Sequence, residues 1–108
     1  MPGAPTRFTD VAPVAALPAD GLHRFCTESH DVLICAVGGD FYAVENRCSH
    51  QARPLHMGRL RGGALYCPVH GAKFDPKTGA AGSPPATTAL ATFATRVVDG
   101  VLQVALPD

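Results

Sequence analysis

Short apolar runs separated by turn residues recur along the whole chain. Arg7 to Val11 is a weak strand candidate, and Leu22 to Thr27 follows the turn signal Asp20-Gly21. Asp31 to Val37 contains the continuous apolar run Val32-Leu33-Ile34-Cys35-Ala36-Val37 and reads as a strand. Gly38-Gly39 then predicts a hairpin turn into Phe41-Tyr42-Ala43-Val44. Further on, Ala64-Leu65-Tyr66 and Ala72 to Phe74 are short strand candidates. The clearest hairpin is the last: Phe93 to Val98, the turn Asp99-Gly100, then Val101 to Leu106. No useful length of helical periodicity appears, and no internal repeat. Asn46 to Gly63 and Asp75 to Pro85 read as loops rich in Gly and Pro. An all-β, antiparallel domain follows from this pattern.

Composition narrows the class. The chain has 108 residues, enough for one domain and not for a second of ordinary size. Hydrophobic residues make up 46% but aromatics only 6%, with no Trp, so the core must be mainly Val, Leu, Ala and Phe. A formal net charge of zero gives the whole molecule no basic excess for nucleic acid or anionic lipid. Charge is nevertheless uneven. Between Asn46 and Lys77 stand six basic residues (Arg47, Arg53, Arg59, Arg61, Lys73, Lys77) against Asp75 alone, a net +5. The remainder has three basic and eight acidic residues, a net −5. Such a split is met in ordinary solvated surfaces, and also in lobes that steer an acidic partner.

The apolar stretch Val11 to Ala19 is broken by Pro13 and Pro18 and bracketed by Asp10 and Asp20, unlike an export signal. No run approaches the length of a membrane span. A soluble, cytoplasmic protein is expected. Four cysteines could frame disulfides only in a secreted context. Cys35 reads as a buried reduced thiol, and Cys26 is read the same way.

The chemistry lies in two mixed pairs, Cys48-Ser49-His50 and Cys67-Pro68-Val69-His70. Each offers a soft thiolate and an imidazole at short spacing, so two sulfurs and two nitrogens could meet at one metal centre. That set suits a [2Fe–2S] cluster in which two His replace two Cys, or a Cys₂His₂ zinc site. Zinc sites usually pair Cys with Cys and His with His, whereas here each pair is mixed. Gly71 follows the second pair and would let backbone approach an inorganic sulfide closely.

Residues 46–85 resemble the Rieske family, through Asn46-Arg47-Cys48-Ser49-His50, Pro54-Leu55, Gly58, Cys67-Pro68-Val69-His70-Gly71, Phe74-Asp75, Thr78-Gly79 and Pro84-Pro85. The flanking strands are similar too, so the likeness covers nearly the whole chain. It implies one domain over 1–108, built of stacked antiparallel sheets with a small cluster-binding subdomain at about 46–85. It implies one [2Fe–2S] cluster, with Cys48 and Cys67 on one iron and His50 and His70 on the other through Nδ1. It makes Gly82 to Pro85 a proline loop covering the cluster. The implied role is a ferredoxin: a one-electron carrier, not an enzyme, taking electrons from a flavin-dependent reductase and giving them to an oxygenase. A bacterial aromatic-ring dioxygenase system is the nearest match. A diiron monooxygenase system, or the Rieske-like small subunit of an assimilatory nitrite reductase, is the alternative.

This chain departs from the Rieske proteins of cytochrome bc complexes. Those carry a further Cys in each ligand loop, joined as a disulfide; here the places fall on Ala52 or Arg53 and on Val69, so no bridge can form. They also place Ser and Tyr hydroxyls where this chain has Ala72 and Phe74. Losing donors to sulfur lowers the potential, which is expected at the low end of the Rieske range, roughly −150 mV. Weaker expectations attach to the remaining residues. His56 reads as a solvated loop residue, His23 and His30 as surface residues, and Lys73 as a solvated charge or a partner contact. Pro54, Leu55, Pro68, Pro84 and Pro85 are expected to form an apolar collar around the two ligand His.

Overall fold

The computed structural model describes residues 6–47, 54–68, 72–83 and 89–107. Among them are eleven strands: β1 (Thr6–Pro13), β2 (Gly21–Cys26), β3 (Asp31–Val37), β4 (Asp40–Glu45), β5 (Arg59–Arg61), β6 (Ala64–Tyr66), β7 (Lys73–Phe74), β8 (Ala81–Ser83), β9 (Thr92–Phe93), β10 (Thr95–Val98) and β11 (Val101–Pro107). They form three sheets, ordered β1-β11-β10, β2-β3-β4-β9 and β5-β6-β7-β8, with every pairing antiparallel. The expected all-β architecture of stacked antiparallel sheets is what the chain adopts.

The middle layer is β2-β3-β4-β9, and β3 explains it. Successive side chains of a strand point to opposite faces. Leu33 and Cys35 pack on one side with Leu55, Leu65, Cys67, Ala72 and Phe74. Val32 and Ile34 pack on the other with Leu102, Val104 and Leu106 of β11. A strand covered on both faces has no polar side, which is why its sequence is an unbroken apolar run. β11 has one wet face and alternates accordingly, burying Leu102, Val104 and Leu106.

Three two-residue hairpins set the register. Gly38-Gly39 joins β3 to β4, Gly62-Gly63 joins β5 to β6, and Asp99-Gly100 joins β10 to β11. All six residues have positive φ, as a type I′ turn demands at both central positions. The first and last turns are those expected. The middle one lies inside the stretch read as a loop, because Arg59-Leu60-Arg61 puts a single apolar residue between two charges.

Two further differences have physical causes. Phe93 to Val98, expected as one strand, is two: Phe93 pairs with Ala43 of β4, while Thr95 pairs with Val104 of β11. The chain changes sheet at Ala94, whose carbonyl accepts the Ala105 N–H at 2.8 Å. β8 lies inside the second expected loop; Ala81-Gly82-Ser83 has little strand propensity and is held by its pairing with β7. No helix among the described residues is long and apolar enough to cross a membrane.

Candidate metal centre

Cys67 is the one proposed ligand inside the described residues; Cys48, His50 and His70 lie outside them, as do Ala52, Arg53, Val69, Pro84 and Pro85. It follows directly on β6. Its N–H donates to the Ala72 carbonyl at 2.8 Å, so the β6–β7 ladder gains a rung beyond Tyr66 and Lys73. Cys67 is only 4% exposed and packs in the same core as Leu55, Ala72 and Phe74.

The described stretch that follows the other pair, from Pro54, comes to the same place. Pro54 leads into a single 3₁₀ turn over Leu55–Met57, closed by the Gly58 N–H on the Leu55 carbonyl at 2.9 Å. Gly58 then lies against the backbone of Tyr66, the residue before Cys67. A Cβ at Gly58 would collide with the Tyr66 carbonyl oxygen, so only glycine permits this approach. The exit of the first loop and the entry of the second are therefore in backbone contact. Cys67 is thus a buried thiol beside the contact of Gly58 with Tyr66, and a thiolate is a donor suited to an iron–sulfur cluster.

Polar support comes from one buried side chain. Asn46, 4% exposed, accepts the His56 N–H on Oδ1 at 2.7 Å. Its Nδ2 lies 2.7 Å from His56 Nδ1 and 3.2 Å from Asp31 Oδ1. The Asn46 N–H donates to the Asp31 carbonyl at 2.9 Å. Asp31 is gripped in turn by Arg24, whose Nε and NH2 groups donate to its two oxygens at 3.0 and 2.9 Å. These bonds from Arg24, helped by Cys26 and Asn46, lower the Asp31 pKa to about 2. Sequence reasoning assigned no role to Asn46, Asp31 or Arg24. The only trace was Asn46 inside the motif ahead of Cys48.

Several expectations are corrected here. His56 is half-buried and hydrogen-bonded, not a solvated loop residue, because its ring closes against Asn46. Cys26 is exposed, not buried: it sits on the face that carries Asp31, and its thiol donates to Asp31 Oδ1 at 3.2 Å, which raises its pKa. His30 is half-buried, with Nε2 2.9 Å from the Pro107 carbonyl and its ring edge-on to Phe93; His23 is half-buried too. Leu55, expected in a collar around the ligand His, is fully buried in the core with Cys67, while Pro54 and Pro68 are exposed. Gly82 lies in β8, while Pro84 and Pro85 of the expected proline loop lie outside the described residues. Cys35 is buried as expected, and burial pushes its pKa up to about 12.

Beside Cys67 opens a groove of about 560 Å³ lined by Met57, Arg59, Arg61, Tyr66 and Pro68. Met57 is 70% exposed there. Arg59 and Arg61 line this groove, and Arg47, Lys73 and Lys77 are exposed elsewhere on the surface.

The Rieske [2Fe-2S] domain model matches residues 7–94. The chain belongs to that family. It is 39% identical over 97 residues to the 3-phenylpropionate/cinnamic acid dioxygenase ferredoxin subunit of Escherichia coli strain K12, covering 89% of this chain and 91% of that one. The ferredoxin of carbazole 1,9a-dioxygenase from Nocardioides aromaticivorans IC177 superposes with a TM-score of 0.83 at 28% identity, covering 94% and 98% of the two chains. A chain in a complex of reduced oxygenase and oxidized ferredoxin in carbazole 1,9a-dioxygenase superposes with a TM-score of 0.87 at 30% identity, covering 91% and 92%. Membership of the Rieske family replaces the zinc alternative with a [2Fe–2S] cluster, one per chain. Likeness to ferredoxin subunits along nearly their whole length makes this an electron carrier of dioxygenase-ferredoxin type, not a catalyst.

Proposed function

We propose that Cys48, His50, Cys67 and His70 hold the cluster, the two thiolates on one iron and the two imidazoles on the other, within a subdomain at about 46–85 of a single 1–108 domain. The observation that carries this is the backbone contact of Gly58 with Tyr66, which brings the ends of the two Cys-His loops together beside buried Cys67. When bound, the cluster supplies a one-electron couple. The chain's own part is to position and shield it. Leu55, Leu65, Ala72 and Phe74 keep water from the Cys67 side, while exposed Pro54 and Pro68 leave the opposite side open to a partner.

The partners we propose are a flavin-dependent reductase as donor and the terminal oxygenase of an aromatic-ring dioxygenase system as acceptor, working in the cytoplasm. Support for the acceptor is the similar ferredoxin chain solved with an oxygenase. Exposed Arg59 and Arg61 in the groove beside Cys67 favour partners with acidic docking faces, whose approach they would accelerate. The test is direct. Purified protein should contain about two irons and two labile sulfides per chain and show a Rieske EPR signal when reduced. His70→Cys should keep a cluster at lower potential; an unaltered cluster in that variant would remove His70 from the ligand set. Reduction by the reductase should slow as salt rises, and a salt-independent rate would argue against basic steering.

A further inference from the structure

The sheet β5-β6-β7-β8 turns one face to the core and one to solvent, and its register sorts the residues. Leu60, Leu65, Phe74 and Ala81 stand opposite one another in turn and pack in the core with Cys67. Arg59 stands opposite Tyr66 and Tyr66 opposite Lys73, so these three form a row across the other face. Arg61, opposite Ala64, lies two residues along from Arg59 on that same face. Strand spacing puts Lys73 about 10 Å from Arg59, and the strand rise puts Arg61 about 7 Å from it. Gly82 of β8 adds no side chain, and the Lys73 stem runs along it: a Cβ there would lie 3.4 Å from Lys73 Cγ.

Arg59, Arg61 and Lys73 are exposed, and Tyr66 between them is half-buried. Among the described residues none of these three cations is in an ion pair or a side-chain hydrogen bond. The outer face of the β1-β11-β10 sheet is the contrast. There Arg96 donates to Gln103 Oε1 at 2.7 Å and lies over the Phe8 ring at 3.8 Å, while Gln103 donates to Asp10 at 2.6 Å. That surface satisfies its charge within itself. Beside Lys73 the carboxylate is Asp75, whose Oδ1 already accepts the Lys77 N–H at 2.9 Å. Three cations within about one Debye length of each other add their potentials and repel until an anionic surface joins them.

We propose that the outer face of the β5–β8 sheet is a docking surface for a redox partner protein that presents a carboxylate-rich segment, anchored by Arg59, Arg61 and Lys73. The inference deepens the reading of an acidic partner given above and rests on it, since Cys67 follows Tyr66 and lines the adjoining groove. Met57, 70% exposed in that groove, gives the partner an apolar contact. Arg, Tyr and Met are residue types enriched where proteins meet. A two-fold contact with a second copy would set cations against cations, so the face does not suit self-pairing.

The experiment follows oxidation of the reduced, loaded protein by stopped flow at about 0.01 M salt, where screening is weak. Ferricyanide serves as the anionic oxidant and tris(phenanthroline)cobalt(III) as the cationic one. Arg59→Ala, Arg61→Ala and Lys73→Ala should each slow ferricyanide about two- to fivefold and speed the cobalt complex comparably, the effect of one charge about 10 Å from a trivalent ion in water. Arg96→Ala removes a charge from the other sheet and should change both rates less than about 1.5-fold. Poly-L-glutamate, standing for the acidic segment, should shield Lys73 from acylation severalfold in wild type and not in the Arg59→Glu/Arg61→Glu variant. Rates within about 1.5-fold of wild type in all three alanine variants, or equal shielding of Lys73 in both proteins, would overturn the docking face. A single-stranded DNA of matched charge that shields Lys73 better than poly-L-glutamate would hand the face to nucleic acid and overturn it too. A protein with no Rieske spectrum sinks the ligand assignment instead, and the shielding result, which needs no cluster, still decides the face.

Discussion

β3 divides the molecule into two cores built on different terms. On one side Val32 and Ile34 meet β11, a seven-residue strand with a strict alternation of buried and half-buried residues. On the other, Leu33 and Cys35 meet Leu55, Cys67 and residues of β5 to β8, strands none longer than three residues. The first core is held by long ladders. The second has short ladders, and its order depends on a few large side chains and on whatever binds at Cys67. A structure that must present metal ligands on loops gives up ladder length on that side and relies on the shared strand to anchor it.

Truncation on either side of β3 separates the two. Phe74 is the largest fully buried side chain among the described residues and lies in the site-bearing core. Phe74→Ala should cost about 3–5 kcal/mol and lose the cluster well before the protein unfolds globally. Leu102→Ala, in the opposite core, should cost about 2–5 kcal/mol while the cluster spectrum stays intact up to the unfolding transition. Thermal melts followed at once by far-UV dichroism and visible absorbance distinguish them. Coincident loss of both signals in both variants would mean that the two cores do not differ in this way.

A smaller effect probes the chemistry of the site core alone. Ala72 is fully buried, and its carbonyl receives the Cys67 N–H. Ala72→Ser would add a hydroxyl near the sulfur. A net hydrogen bond of about 0.5–1.5 kcal/mol favouring the reduced state corresponds to a rise of roughly 20–65 mV for one electron. Protein-film voltammetry reads this directly, and an unchanged or lower potential would count against a sulfur-facing position.

The smallest effect concerns the polar chain below the first ligand loop. Asp31 has its pKa lowered from 3.8 to about 2, with Arg24 as the main cause. The folded state therefore binds fewer protons than the unfolded one. Its contribution is complete above about pH 4 and fades as pH falls through about 2. The pair is well exposed, so solvent screening keeps the effect slight. Asp31→Asn should flatten the acid limb of a urea-midpoint curve over that interval. An unaltered limb would show that other carboxylates govern it.

How much of this was legible depended on which residues carried their own signal. Val32 to Val37 announced a buried strand, and Gly38-Gly39 and Asp99-Gly100 announced turns, because each local choice is dictated by backbone sterics. β5 and β8 did not, since Arg59-Leu60-Arg61 and Ala81-Gly82-Ser83 become strands only through a neighbour in the sheet. The two Cys-His pairs were readable as metal ligands by chemistry alone. The Asn46–His56 contact joins residues ten apart through a side chain, and nothing in either residue's own neighbourhood hints at it.

Using β3 as a common wall has one more consequence. Any shift of the layer around Cys67 must press on Leu33 and Cys35, and through the same backbone on Val32 and Ile34 beyond. Tightly filled interiors resist compression from either direction. Dipoles packed against Cys67 would then be nearly as well placed before an electron arrives as after, and the reorganisation accompanying transfer would be small.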